Sequence, residues 1–375
     1  MQRFMAVAAI TAVVALAACD NHGTTSITAA PDAGTTRASA PATTAAPQVI
    51  VSGLEYPRGF AFGPDGAIYL AEAGTPEGND TYTVGLCPQV GFGPSAGGFT
   101  SRISRITMAG ERTTVADHLP SARNALGDVE GVADIAFGAG HKLYGLLVAG
   151  CAHGHLNEPS AVIGVEPNGS YTVLADLSTW IKANPTAHPN PGDFEPDGDF
   201  YNMAAQGNVL YVVEANQGNL LSVKPEGGVI RRLADVSATE GHRVPTGLAL
   251  QNGDMLVGEL TPFPAVPGSA DILRFGHNGR VEDRMHGFTA VLGVARDDMG
   301  NVYVLESFTC ASATPCFPSP GSGRVTRVSS SGARDVVASG LSFPTALRLG
   351  PDGALYVSNF GYGPPNSGQL LRITP

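Results

Sequence analysis

A phrase near the start of this chain returns near its end. Val51-Ser52-Gly53-Leu54-Glu55-Tyr56-Pro57 leads into Gly63-Pro64-Asp65-Gly66-Ala67-Ile68-Tyr69-Leu70. Ala338-Ser339-Gly340-Leu341-Ser342-Phe343-Pro344 leads into Gly350-Pro351-Asp352-Gly353-Ala354-Leu355-Tyr356-Val357. Gly53 and Gly340 stand 287 positions apart in the 375-residue sequence. That offset divides into about six units of ~48 residues, a period at which one supersecondary unit repeats around a ring or along an array. Copies occur between the two ends. Ile135-Ala136-Phe137-Gly138 precedes Leu143-Tyr144, and Asn202-Met203-Ala204 precedes Val209-Leu210-Tyr211-Val212. Pro245-Thr246-Gly247-Leu248 precedes Asp254-Met255-Leu256-Val257, and Gly293-Val294-Ala295 precedes Asn301-Val302-Tyr303-Val304.

Each copy reads as a pair of short apolar strands joined by a tight turn of Gly, Asp or Asn. A second pair follows, as in Ile103–Ile106 with Thr113–Val115, Val162–Val165 with Tyr171–Leu174, and Leu220–Val223 with Val229–Arg231. Ile272–Phe275 and Val325–Val328 occupy the same slot. The last copy, Leu370–Ile373, lacks a fourth strand, and Gln48-Val49-Ile50-Val51 supplies a spare one before the first copy. The prediction is an all-β, six-bladed β-propeller over residues 48–375, its ring closed by an N-terminal strand so that no sheet edge is left open. The 48 glycines and 28 prolines fit many tight turns rather than long helices.

The segment before the repeat reads as an address. Arg3 is followed by an apolar stretch from Phe4 to Leu16, the length of a signal-peptide core and too short for a membrane span of ~20 residues. It ends in Leu16-Ala17-Ala18-Cys19, which resembles a bacterial lipobox, so residues 1–18 are expected to be a lipoprotein signal peptide with Cys19 lipidated. Residues 19–47, rich in Thr, Ala, Ser and Pro, are expected to be a disordered tether. The protein is thus expected to be exported and anchored at the cell envelope by lipid alone, as a monomer. Its formal charge of −11 argues against nucleic acid as a partner.

Propeller topology places the loops after second strands on the same face as the blade-to-blade connections. Those loops are long here, at roughly 73–100, 149–160, 260–270 and 307–323, as is the connection 178–198. Long loops in an economical repeat point to function. They hold the four remaining cysteines, and of three possible connectivities Cys87–Cys151 with Cys310–Cys316 suits the geometry best. A polar residue recurs near the ends of the second strands: Glu72, Glu214, Glu259, Glu306 and Asn359, with Leu147 in the remaining blade. Rotational symmetry would set these in a partial acidic ring, joined at the channel mouth by Arg58, Asp134, Asn202, Thr246 and Thr345. Oxygen ligands of that kind suit Ca²⁺ or another divalent cation, while the competing expectation is a solvated channel whose carboxylates pair with Arg58 or bond backbone amides. Two weaker metal signals are Asp193-Phe194-Glu195-Pro196-Asp197-Gly198-Asp199, with calcium-loop alternation, and His153-Gly154-His155.

The run from Tyr56 to Gly74, with Gly218–Val223 and Gln369–Ile373, resembles ScyD/ScyE-type proteins, bacterial NHL-like propellers. That resemblance covers roughly 48–375 and implies an exported six-bladed propeller without implying a reaction. More distantly the repeat is similar to the gluconolactonase/SMP-30 group, whose channel holds a divalent metal on Glu, Asn and Asp; Asp134, Asn202 and Glu214 are the nearest available groups. Two functions follow as expectations. One is a non-catalytic binding or scaffold module, taking a small molecule, glycan or protein on the long-loop face. The other is a divalent-metal-dependent hydrolase or lyase with its site at the channel mouth.

Overall fold

The computed structural model describes residues 46–375 apart from 76–80, 252 and 277. The expected signal peptide, the lipidation site Cys19 and nearly all of the tether lie outside the described residues. Six sheets follow one another along the chain, each starting with an innermost strand: Pro57–Phe62, Val132–Phe137, Phe200–Gln206, Pro245–Gln251, Val291–Arg296 and Ala346–Leu349. They form a six-bladed β-propeller. The strand Gln48–Leu54 pairs antiparallel with Gly368–Ile373, Gln48 opposite Arg372 and Leu54 opposite Gly368, and so completes the sixth blade. The first strand among the described residues is therefore hydrogen-bonded to the last, and that pairing closes the ring.

The repeated Pro-Asp-Gly turns explain their own sequence. Gly66 and Gly353 take φ of 76° and 74°, a left-handed conformation that L side chains avoid. Asp65 and Asp352 each accept the amide two residues on, from Ala67 and Ala354, both at 3.2 Å. Close approach explains a different glycine. A Cβ on Gly59, in the first innermost strand, would fall 1.9 Å from Asp134 Oδ1 of the second blade. Apolar clusters fill the space between blades, as where Phe60, Ile68 and Leu70 pack with Tyr356, Ala346 and Leu370. Hydroxyls add stitches across the same seams: Thr246 donates to Val291 O and Thr345 to Pro57 O, at 2.5 and 2.7 Å.

Three features depart from the sequence reading. The third strand of the first blade begins at Ala96, so the preceding loop is shorter than expected, and its partner runs from Arg112 to Arg123. Both strands rise above the sheet on the long-loop face, where the short strand Val129–Glu130 joins them. Two blade connections also carry short helices, Leu177–Ala183 and Val236–Glu240. Asp176 and Asp235, each the last residue of an outer strand, cap them by accepting from Thr179 and Ala238.

Candidate functional site at the channel mouth

The long loops are pinned by two disulfides, Cys87–Cys151 and Cys310–Cys316, the pairing expected from the sequence. Disulfides persist in oxidising compartments, which marks a non-cytoplasmic protein. No helix among the described residues is long and apolar enough to cross a membrane.

The acidic ring expected at the mouth is not assembled. Glu72, Glu306 and Asn359 each accept the backbone N–H of the residue seventeen positions earlier: Glu55 at 2.7 Å, Thr289 at 2.9 Å and Ser342 at 2.9 Å. Glu72 is also held by Arg112 and Ser104, and Glu306 by Arg324. Glu214 accepts from Gln217 N and Asn219 Nδ2, and Glu259 from Asp271 N. Each side chain bonds within its own blade, because the chain entering or crossing that blade has a buried amide in need of an acceptor. Burial pushes Glu214 up to about 7 against the opposing hydrogen bond from Gln217, and burial does the same to Glu259.

The metal set expected from the gluconolactonase/SMP-30 resemblance does not fit either. Asp134 is fully buried and accepts from Ile135 N, from Met203 N and from Arg348 at 2.6 Å. The same guanidinium donates to Asn202 Oδ1 at 3.2 Å, so an arginine stands where a cation would have to sit. Glu214 is engaged in its own blade. The calcium-loop reading of 193–199 also fails, because its carboxylates diverge. Asp193 pairs with His242 at 2.9 Å, while Asp197 accepts from Ala152 N and from Lys182 at 2.5 Å.

Arg348 and Tyr201 link blades across the channel. Arg348 extends from the sixth blade to the second and third, and Tyr201 of the third blade donates to Thr345 O of the sixth at 2.9 Å. Beside Tyr201 lies a cavity of about 40 Å³, lined among others by Arg58, Asp128, Glu130, Asp199 and Asn202. Of the sequence-predicted residues, Arg58, Asn202 and Thr345 line it; Glu72, Thr246, Glu259, Glu306 and Asn359 do not. Arg58 is paired with Asp128 at 3.1 Å and donates to Val129 O. Burial and the charge of Glu130 push Asp199 up to about 8.

Beside the cavity, Glu130 meets His153 Nδ1 at 2.5 Å, and His153 Nε2 faces Glu195 Oε2 at 3.8 Å. Burial pulls the His153 imidazole down, but the charge and hydrogen bond of Glu130 outweigh it and bring it to about 8. Burial raises Glu195 well above the usual carboxylate range, reinforced by the charges of Asp199 and Glu130. Both weak sequence signals thus meet at one place, since His153 and Glu195 come from consecutive loops of the second blade. The third member, Glu130, carried no motif.

No protein-family model matches the sequence, and no curated protein matches it. Solved structures match along most of the chain. A glucose dehydrogenase-type oxidoreductase from Thermus thermophilus is 18% identical, with TM-score 0.53, over 87% of this chain and 99% of that one. A glucose dehydrogenase is 14% identical, with TM-score 0.54, over 88% and 100%. A Bacteroides thetaiotaomicron protein of unknown function is 10% identical, with TM-score 0.55, over 87% and 75%. The likeness is one of fold. At these identities it extends to the propeller and not to the chemistry of its mouth.

Proposed function

We propose that this protein is a non-catalytic binding module of the cell envelope, anchored through Cys19, whose long-loop face takes an uncharged, hydroxyl-rich ligand such as a neutral glycan. The observation that carries this reading is the contrast between a channel bridged by side chains and an apolar loop face. Leu86, Phe92, Phe263, Val266 and Phe317 are all exposed in the long loops, Leu86 at 65% and Phe317 at 64%. Phe263 and Phe317 stack with their rings 13° from parallel and their centroids 6.3 Å apart. Exposed aromatic groups on one face mark contact surfaces, and flat rings suit the C–H faces of sugars. The cavity sets the donor groups of Arg58 and Asn202 beside acceptors from Asp128 and Asp199, a mixture that matches hydroxyl groups. The net charge of −11 disfavours polyanions.

One observation favours the alternative, a hydrolase or lyase at the mouth: Asp199, with its proton held to about 8, lines the cavity as a general acid would. A glycan array followed by turnover assays separates the two. The binding reading expects saturable binding to neutral but not acidic glycans. Replacing both rings, Phe263→Ser with Phe317→Ser, should weaken it roughly tenfold, about 1.4 kcal/mol. Lactone or sugar turnover that disappears in Asp199→Asn would establish the enzyme instead.

A further inference from the structure

Three loops of the long-loop face bring one imidazole and two carboxylates together. Glu130 comes from the connection into the second blade, His153 from the loop between that blade's middle strands, and Glu195 from the connection out of it. One ligand atom from each lies within 4.8 Å of the others. His153 is fully buried, yet among the described residues its Nε2 has no hydrogen-bond partner, and neither does Glu195 Oε2 opposite it. Leaving buried polar atoms unmatched is costly, so a pair of them facing each other needs an explanation.

The hydrogen bond on the other side of the ring provides one. With Nδ1 2.5 Å from Glu130, the neutral imidazole keeps its proton on Nδ1 and donates a hydrogen bond to that carboxylate. In that neutral form the Nε2 lone pair points at the Glu195 carboxylate, and two electron-pair donors face each other across 3.8 Å. That is too far for a hydrogen bond, and it is a gap that two metal bonds of ~2.0–2.1 Å can bridge. The nearby basic side chains are committed elsewhere, Arg58 to Asp128 and Lys182 to Asp197.

We infer that this is a transition-metal site of the Zn²⁺ class, with His153 Nε2 and Glu195 as ligands and Glu130 as the positioning residue that orients the imidazole. An imidazole ligand selects zinc and its first-row neighbours over Ca²⁺ and Mg²⁺, which take oxygen. A carboxylate on the far ring nitrogen is the usual partner of a metal-bound histidine. Cys151, two residues from His153, is bonded to Cys87, so the loop is already fixed where the metal would bind. The cation would act as a brace on the loops framing the cavity. Its residues differ from the aromatic platform, so it stands or falls separately from the glycan reading.

The test uses the full chain, stripped with a chelator and titrated with Zn²⁺, Co²⁺ or Ca²⁺. The expected result is one Zn²⁺ per chain and a melting temperature raised by about 4 °C at a hundredfold excess over Kd. Co²⁺ should give a visible absorption band, and Ca²⁺ should shift nothing. His153→Gln should abolish binding, and so should Glu195→Gln, whose near-identical shape guards against a folding defect. Glu130→Gln should weaken it ~10–100-fold, the effect of losing an orienting carboxylate. No Zn²⁺-dependent shift and no Co²⁺ band in the folded wild type would overturn the site and leave an imidazolium bridging two carboxylates. An equal shift with Ca²⁺, or unchanged binding in Glu195→Gln, would overturn it too.

Discussion

In the fifth blade, Glu306 receives the amide of Thr289, seventeen residues back, and the guanidinium of Arg324. The first and sixth blades repeat that amide bond with Glu72 and Asn359. The second blade has Leu147 at the same place, and the residue seventeen positions before it is Glu130. There the backbone pairs with the neighbouring strand through Ala122, and the side chain turns to His153 instead. The group that recurs in the first, fifth and sixth blades is a fastener, whereas in the second blade its place is taken by the Glu130–His153–Glu195 cluster.

That contrast can be broken most directly at a fastener. Glu72 is fully buried and bridges Arg112, Ser104 and the amide of Glu55. Glu72→Ala should cost about 3 kcal/mol in a denaturant melt, since it leaves those donors unmatched, and should leave glycan and metal binding unchanged. Lost binding in a folded Glu72→Ala protein would mean that the repeated position also serves the site.

A smaller effect separates fasteners that have an arginine bonded to them from those that do not. Glu214 and Glu259 are buried without a hydrogen-bonded arginine, and both are pushed up to about 7 from an ordinary 4.5. Between those values the folded protein retains a proton that the unfolded chain has lost. Each group therefore removes stability as pH rises from about 4.5 to about 7, by at most ~1.4 kcal/mol per pH unit. Glu259→Gln should be close to neutral at pH 4.5 and stabilising relative to wild type at pH 7.5, read as a difference in melting temperature. A difference of the opposite sign, or one independent of pH, would contradict that assignment.

The architecture was legible because it is written several times. Pro-Asp-Gly turns, paired apolar runs and the spare strand at Gln48–Val51 each report the same blade. The site was legible only in fragments. The recurrence of Glu72, Glu214, Glu259 and Glu306 reads from sequence as convergence on an axis, yet each blade also repeats a buried amide that needs an acceptor nearby. Periodicity cannot say which way a side chain turns. His153 and the 193–199 loop each stood out, but their meeting depends on two adjacent loops of one blade folding toward each other. Arg348, which displaces the expected channel cation, sits in an ordinary strand and gave no signal.

The most direct measurement is an anomalous difference map at the zinc edge from crystals grown with Zn²⁺. One peak is predicted, within bonding distance of His153 Nε2 and Glu195 Oε2, with Arg348 still spanning Asp134 and Asn202. A map with no peak there, or with its peak in the channel against Asp134 and Asn202, would contradict the account.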